Sequence, residues 1–437
     1  MGEGSFVEPA GGRWYSPPVM PPDTPVKALI IAFTDAPSLA AYVINRLQPE
    51  LLCFFVPESA KAQVEEAVQP LVQQMPKRWD WVVTPDSTDV IACHQALSRT
   101  IQDLFQAWDV QVGEVVVDLT GATAAMAAAL ASASQPWTSR VISLVDAKGQ
   151  EDSEGIVIDG HAKRWLQGNP WDEAAVGVRR EACEAFNHGS FRGAATLFHT
   201  LEARVSGGQK PLYRALGDLA LGYALWEQFY YRQAWEKLKT SLKALDMASL
   251  WGGPPGLKAL LPFIKANSGF LEKLVLDPAE VKDGVALDLL AHAHRRAHVD
   301  HDPERAMVAL IRALEACAQR QLFKQYKIKT WDVQPEQLPE ALRETCRTCY
   351  LDDVDGKYKL PLQGQFRVLA GLGDQMGQAF LRDWPKMKPL LDAANHAILG
   401  HGFEAIKAER VQQLSEVVAK LTGVNESSLP KFPSLNL

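Results

Sequence analysis

No stretch of this chain stays apolar for the roughly 18–20 residues that a membrane-spanning helix needs. Its first residues, Met1-Gly-Glu-Gly-Ser-Phe6, lack the basic flank and hydrophobic centre of a secretory leader. Phe6 stands where a myristoylation signal prefers Ser or Thr. Cysteine is scarce, with 6 in 437 residues, which excludes a disulfide framework and fits a reducing cytoplasm. The one close pair, Cys346-Arg-Thr-Cys349, has neither a second pair nor a βαβ setting, so it reads as chance spacing on a helix. A net charge of −7 excludes broad, unspecific nucleic-acid binding, though not a small basic site.

What is present is ordinary for a globular protein, 47% hydrophobic and 22% charged. The length calls for two or three domains. Residues 1–25 are rich in Gly and Pro and read as an irregular arm. Over residues 26–160, apolar runs at 26–33, 51–56, 79–83, 114–119 and 140–145 predict five strands. Between them, residues 36–47, 59–75, 88–108 and 122–133 have helical spacing. This alternation specifies an α/β domain with a mostly parallel sheet and helices on both faces. After the Gly168-Asn-Pro170 break, residues 171–437 are helical in period almost throughout. Breaks at 252–255 and 335–339 leave room for two subdomains. Helix-turn-helix patterns recur there, without the fixed 34-residue period of a tetratricopeptide array. The predicted class is α/β followed by all-α.

Two strand ends carry tight-turning polar residues: Thr34-Asp-Ala-Pro-Ser38 and Asp118-Leu-Thr-Gly-Ala-Thr123. Ligands of doubly wound sheets lie beyond the carboxyl ends of the strands. Free amides at helix amino termini suit phosphates there, and hydroxyls suit ribose or phosphate oxygens. Ser38 and Thr120 can equally be helix caps, and spacing alone does not separate the two readings.

Asp118-Leu-Thr-Gly-Ala-Thr-Ala-Ala-Met126 resembles the Asp-x-Thr-Gly-Gly-Thr-Lys-x-Met box of the CARF domains of CRISPR-associated effectors. The resemblance implies a homodimer that binds cyclic oligoadenylate across its two-fold axis. Thr34 and Ser38 would line the pocket from one loop, and Thr120, Gly121, Ala122, Thr123 and Ala124 from the other. Ala122 replaces the second Gly of the box, and Ala124 its Lys. The missing Lys weakens a phosphate contact or removes an ability to cleave the ligand.

Residues 390–406, "LLDAANHAILGHGFEAI", are helical by the spacing of Leu390, Ala394, Ala397 and Ile398 and end in Gly-His-Gly. They resemble the Arg-Asn-x-Ser-Ile-Leu-Ala-His-Gly-Phe box of HEPN ribonucleases, which share a chain with CARF domains in type III CRISPR systems. His401 falls on the His, Asn395 on the Asn and Phe403 on the Phe, whereas Ala394 occupies the place of the Arg. Attack by an RNA 2′-hydroxyl needs proton transfers and a cation at the phosphorane, which suit His and Arg. One such pair per chain implies a composite cleft across an isologous dimer. Without the Arg, a loss of around 10²–10³-fold in rate is expected. A bare helix-terminal His would also be favourable at that place. Lys386 and His396 are the nearby basic groups, and Arg382 is the nearest upstream arginine.

Residues 222–238 and 304–333 resemble helical segments of the same proteins and are assigned packing, not chemistry. The run holding His292, His294, His298 and His301 offers no closed ligand set, so no metal is expected. The implied function is a cytoplasmic, metal-independent endoribonuclease without a cofactor. Cyclic oligoadenylate is its activator and single-stranded RNA its substrate. Ala124 and Ala394 mark a disabled form, arisen by design or by decay. The alternative is an inactive cyclic-oligoadenylate sensor acting through a protein partner.

Overall fold

The computed structural model describes residues 26–111, 113–147 and 156–437; the arm expected over 1–25 lies outside them. The chain divides into two compact units. One comprises the residues up to Val178 together with Thr200–Pro211, and the other Arg179–His199 with Leu212–Leu437.

The first unit is built on a sheet in the order β3-β2-β1-β4-β5-β7-β6. Its strands are β1 (Ala28–Ala32), β2 (Leu51–Pro57), β3 (Arg78–Thr84), β4 (Val115–Asp118), β5 (Thr138–Asp146), β6 (Ile156–Ile158) and β7 (His161–Gly168). The first five pair in parallel, and β7 and β6 add antiparallel. β1 is buried at every position, as a parallel strand covered on both faces must be. Alternate residues feed opposite cores. Leu29, Ile31 and Phe54 join Val43 and Ile44 of α1 (Pro37–Leu47), while Ile30, Phe55 and Val117 join Leu97 and Ile101 of α3 (Val90–Trp108). Met126 and Leu130 of α4 (Ala124–Ser134) complete the second layer.

Two expectations need correction in this unit. The helix predicted over 59–75 is broken: Glu58–Ala60 is 3₁₀, Lys61–Gln63 (α2) is α-helical, Val64–Val68 is π and Gln69–Leu71 is 3₁₀. Pro70 supplies no amide and crowds the preceding turn, so the pattern cannot run through as one helix. The five predicted strands become seven. β6 and β7 were hidden because β7 is largely exposed. Their turn was nonetheless legible, since Asp159 (φ 48°) and Gly160 (φ 78°) form the two-residue loop that Asp-Gly favours.

The second unit is helical. After α5 (Pro170–Asn187) and α6 (Phe191–Arg204) come α7 (Lys210–Glu227), α8 (Tyr231–Leu250), α9 (Leu257–Leu276) and α10 (Asp283–His298). Next are α11 (Pro303–Tyr326), α12 (Glu340–Tyr350), α13 (Leu362–Gly371), α14 (Gln375–Asn395) and α15 (Ala408–Thr422). One core joins Leu314, Phe366, Phe380, Met387 and Leu414. An aromatic cluster of Phe186, Phe191, Tyr223 and Trp226 fills the space between the earlier helices. Cys346 is buried on α12 while Cys349 is exposed. Among the described residues no helix is long and apolar enough to cross a membrane.

Candidate functional sites

In the strand order of the sheet, sequence direction reverses between β1 and β4, the crevice where open α/β sheets hold ligands. Ile31 is in register with Asp118, so the loops after both strands leave the same edge side by side. Thr34 ties them together, its hydroxyl donating to the Gly121 carbonyl at 2.9 Å. Gly121 has to be Gly: a Cβ there would lie 2.7 Å from the Ala32 carbonyl oxygen.

The two threonines of the box have structural duties. Thr120 donates its hydroxyl proton to Asp118 Oδ1 and accepts the Leu144 amide at 3.0 Å, joining β4 to β5. Thr123 donates to the Ser87 carbonyl and accepts the Met126 amide at 3.1 Å, capping α4. A hydroxyl has one proton to give, so both donors are committed. Thr120 therefore caps no helix, and neither does Ser38, which is half-buried in the first turn of α1. That helix starts at Ala36 with no side-chain cap and Pro37 in its first turn. Ala122 donates its amide to the Leu119 carbonyl, and Ala124 is the exposed first residue of α4. The rim thus offers helix-terminal amides and little formal charge.

Asp118 lies beneath this rim with no exposure. Burial pushes its carboxyl up to about 6, against the lowering effect of the two bonds from Thr120. Its Oδ2 finds no hydrogen-bond partner among the described residues. Sequence reading treated Asp118 as the first letter of a box and missed this burial. It also missed Ser87, which gives no signal beyond its place near the end of β3.

At the other candidate site the predicted helix stops early. α14 ends at Asn395, with His396 as its C-cap, and residues 396–407 form a loop. His401 is therefore not on a helix. The loop folds back on the helix end: the His401 amide donates to the Asn395 carbonyl at 2.8 Å, and the Glu404 amide to His396 at 3.0 Å. Its two glycines make this possible. A Cβ at Gly400 would lie 2.2 Å from the Ala394 carbonyl oxygen, and one at Gly402 2.1 Å from that of His396. Ala397 and Ile398 break the expected helix for the same reason, since their backbones bond to the returning strand of the loop.

Asn395 and His401 are exposed and joined through the backbone, and Ala394 is 8% exposed within the core. Phe403 is 97% exposed, and Ile398 and Leu399 are exposed beside it. Lys388, one turn before the site, is engaged by Asp392 at 2.5 Å. Glu304, 102 residues away, accepts the Ile406 amide at 2.9 Å and fixes the far end of the loop. No local pattern marks that residue. Among the described residues no group of three His, Cys, Asp or Glu side chains is placed to hold a metal ion. His294 instead pairs with Glu426 at 2.8 Å.

A Rossmann-like domain joined to a helical one is the CARF–HEPN architecture, and the comparisons with known proteins agree. A family model described as the Csm6 6H domain matches residues 175–271, and one described as the Csm6 HEPN domain matches residues 281–425. Together they match more than half of the chain, which belongs to the Csm6 family of CARF–HEPN proteins of type III CRISPR systems. Among solved structures, Csm6 of Enterococcus italicus bound to cyclic hexa-2'-fluoro-hexa-dAMP is 12% identical, with a TM-score of 0.56. The match covers 92% of this chain and 96% of that one and shows a shared fold. Can2 from Sulfobacillus thermosulfidooxidans, in complex with cyclic tetra-adenylate, covers 70% of each chain at 11% identity. Its TM-score of 0.23 is too low to bear on the fold. No curated protein matches the chain.

Proposed function

We propose that the chain is the ribonuclease component of a type III CRISPR defence, switched by cyclic oligoadenylate and impaired as it stands. The observation that carries the reading is the Asn395–His401 loop, held on the end of α14 by glycines that admit no side chain. An exposed imidazole on a rigid loop suits proton transfer to and from an RNA 2′-hydroxyl and a 5′-oxygen, with no metal in the reaction. Single-stranded RNA fits such a site because its 2′-hydroxyl can be splayed into line. Two copies are needed for a full complement of groups, and Ile398, Leu399 and Phe403 form an apolar rim for a homodimer interface.

The activator belongs at the β1/β4 crevice, against Thr34, Ser38 and residues 120–124. The solved relative of the same fold holds a cyclic hexanucleotide analogue, and the open amino termini of α1 and α4 suit its phosphates. Activation requires only that the ligand bind one of two conformations more tightly. With Ala124 in place of a Lys, phosphate binding is weakened. With Ala394 in place of an Arg, the donor that stabilises the phosphorane is gone.

The test is cleavage of a fluorogenic single-stranded RNA by the Ala394→Arg protein, with and without cyclic tetra- and hexa-adenylate. Activator-dependent cutting, abolished by His401→Ala, is the expected result. Ligand binding without cutting under any condition would overturn the ribonuclease reading and leave a sensor that works through a protein partner.

A further inference from the structure

Residues 431–437 follow the HEPN-matched segment in sequence, yet they lie against helices of the 6H-matched segment. Asn187, at the end of α5, reads the backbone at Leu435 from both sides: Oδ1 accepts its amide at 2.7 Å, and Nδ2 donates to its carbonyl at 3.0 Å. Asn267 of α9 donates to the Lys431 carbonyl at 3.0 Å, and that same side chain bonds the Tyr223 hydroxyl of α7 at 2.9 Å. Phe432 enters the aromatic cluster, 4.6 Å from Tyr223 and 4.9 Å from Trp226 by ring centre, and Arg295 of α10 stacks on it at 3.9 Å. Pro433 and Leu435 are buried, whereas Lys431, Ser434 and Asn436 are exposed. Asn436 crosses so close to Gly256 that a Cβ there would lie 1.9 Å from its carbonyl oxygen.

This is how an extended peptide is recognised: main-chain bonds from side-chain amides, plus sockets for alternate apolar residues. No strand pairing holds the segment, so few contacts need to break for it to leave. It also closes a mechanical path. α15 separates the segment from the His401 loop, and the loop's other fixed point is the Glu304–Ile406 bond at the start of that helix.

We propose that the groove formed by α5, α7 and α9 is a releasable seat for the extended segment Lys431–Leu437. The seated segment is a strap that holds α15, and through it the His401 loop, in place. What a loosened loop does to RNA cleavage rests on the ribonuclease reading; the seat and the strap do not.

Gly256→Ala in the full chain is the sharpest test. Its backbone (φ −65°, ψ −18°) admits alanine, so the helix is kept while Asn436 is displaced. Hydrogen exchange should show the Leu435 amide and the amides of 396–407 exchanging about tenfold faster, with the other helices unchanged. Asn187→Ala should do the same at Leu435. Exchange of Leu435 or of 396–407 no faster than in the parent would overturn the strap. In a chain ending at Pro430, a labelled peptide of sequence 429–437 should bind saturably, and the Asn187→Ala form of that chain should not bind it. If the peptide fails to bind the folded, shortened chain, the seat is overturned. Neither readout uses RNA, so a failure to cut RNA leaves both results standing.

Discussion

Single side chains decide how far each site can be repaired or broken. Ala394 has neighbours on nearly all sides, so an Arg there must run its stem along core surface to bring its charge out. Ala394→Arg is therefore expected to lower stability by about 1–3 kcal/mol even as it restores a cation, and thermal unfolding beside the cleavage assay would show both. Gly402→Ala should cost about 2 kcal/mol or more, because the new methyl meets the His396 carbonyl. It should also silence the Ala394→Arg enzyme without touching an ionisable group. Asp118 gives a pH signature. Its folded carboxyl holds its proton up to about 6 against an ordinary 3.8, so the folded state binds more protons than the unfolded one between those values. Stability then falls as pH rises from about 4 to 6, by up to about 3 kcal/mol, and is flat above. Denaturation of the parent and of Asp118→Asn at pH 4 to 7 should show that slope in the parent alone.

At the scale of elements, a buried ion cluster joins α7 to α10. Glu227 receives Arg295 at 2.5 Å and Arg296 at 2.8 Å, with His292 Nδ1 at 3.0 Å. Burial alone would raise its carboxyl, but these partners outweigh burial and hold it at about 2. This contribution is present above pH 4.5 and is lost as pH falls through that value toward 2. Glu227→Ala strands two arginines and should cost about 3–5 kcal/mol, read by chemical denaturation. The cluster was not visible in the sequence, where Arg295 and Arg296 looked like a solvated helix face. Their partner is 68 residues away, and periodicity carries no information at that distance. The parallel strands were legible because burial on both faces leaves continuous apolar runs at 28–32 and 115–117. The β6–β7 hairpin was not, since its exposed residues match no core pattern. At the candidate sites the boxes located the loops, but not which atoms in them were free. The helix predicted through 406 failed at Asn395 because apolar spacing cannot register a backbone that turns back on itself.

For the whole molecule, the composite cleft requires that two chains act together. The protein should sediment as a dimer. Mixing Ala394→Arg protein with an excess of the Ala394→Arg, His401→Ala double variant should reduce cleavage as mixed dimers form, measured at fixed total RNA and activator. Unchanged activity per Ala394→Arg chain would mean that one chain suffices.

The threonines of the β1/β4 crevice carry one consequence for chemical selectivity. With the protons of Thr120 and Thr123 turned inward, each hydroxyl can show a visitor only a remaining lone pair. A bare phosphate oxygen would meet lone pair against lone pair there. A group that brings its own hydrogen, such as a ribose 2′-hydroxyl or an adenine amine, would be welcomed. The crevice is thereby set to sort guests by which of their atoms carry hydrogen, before any difference in ring size is felt.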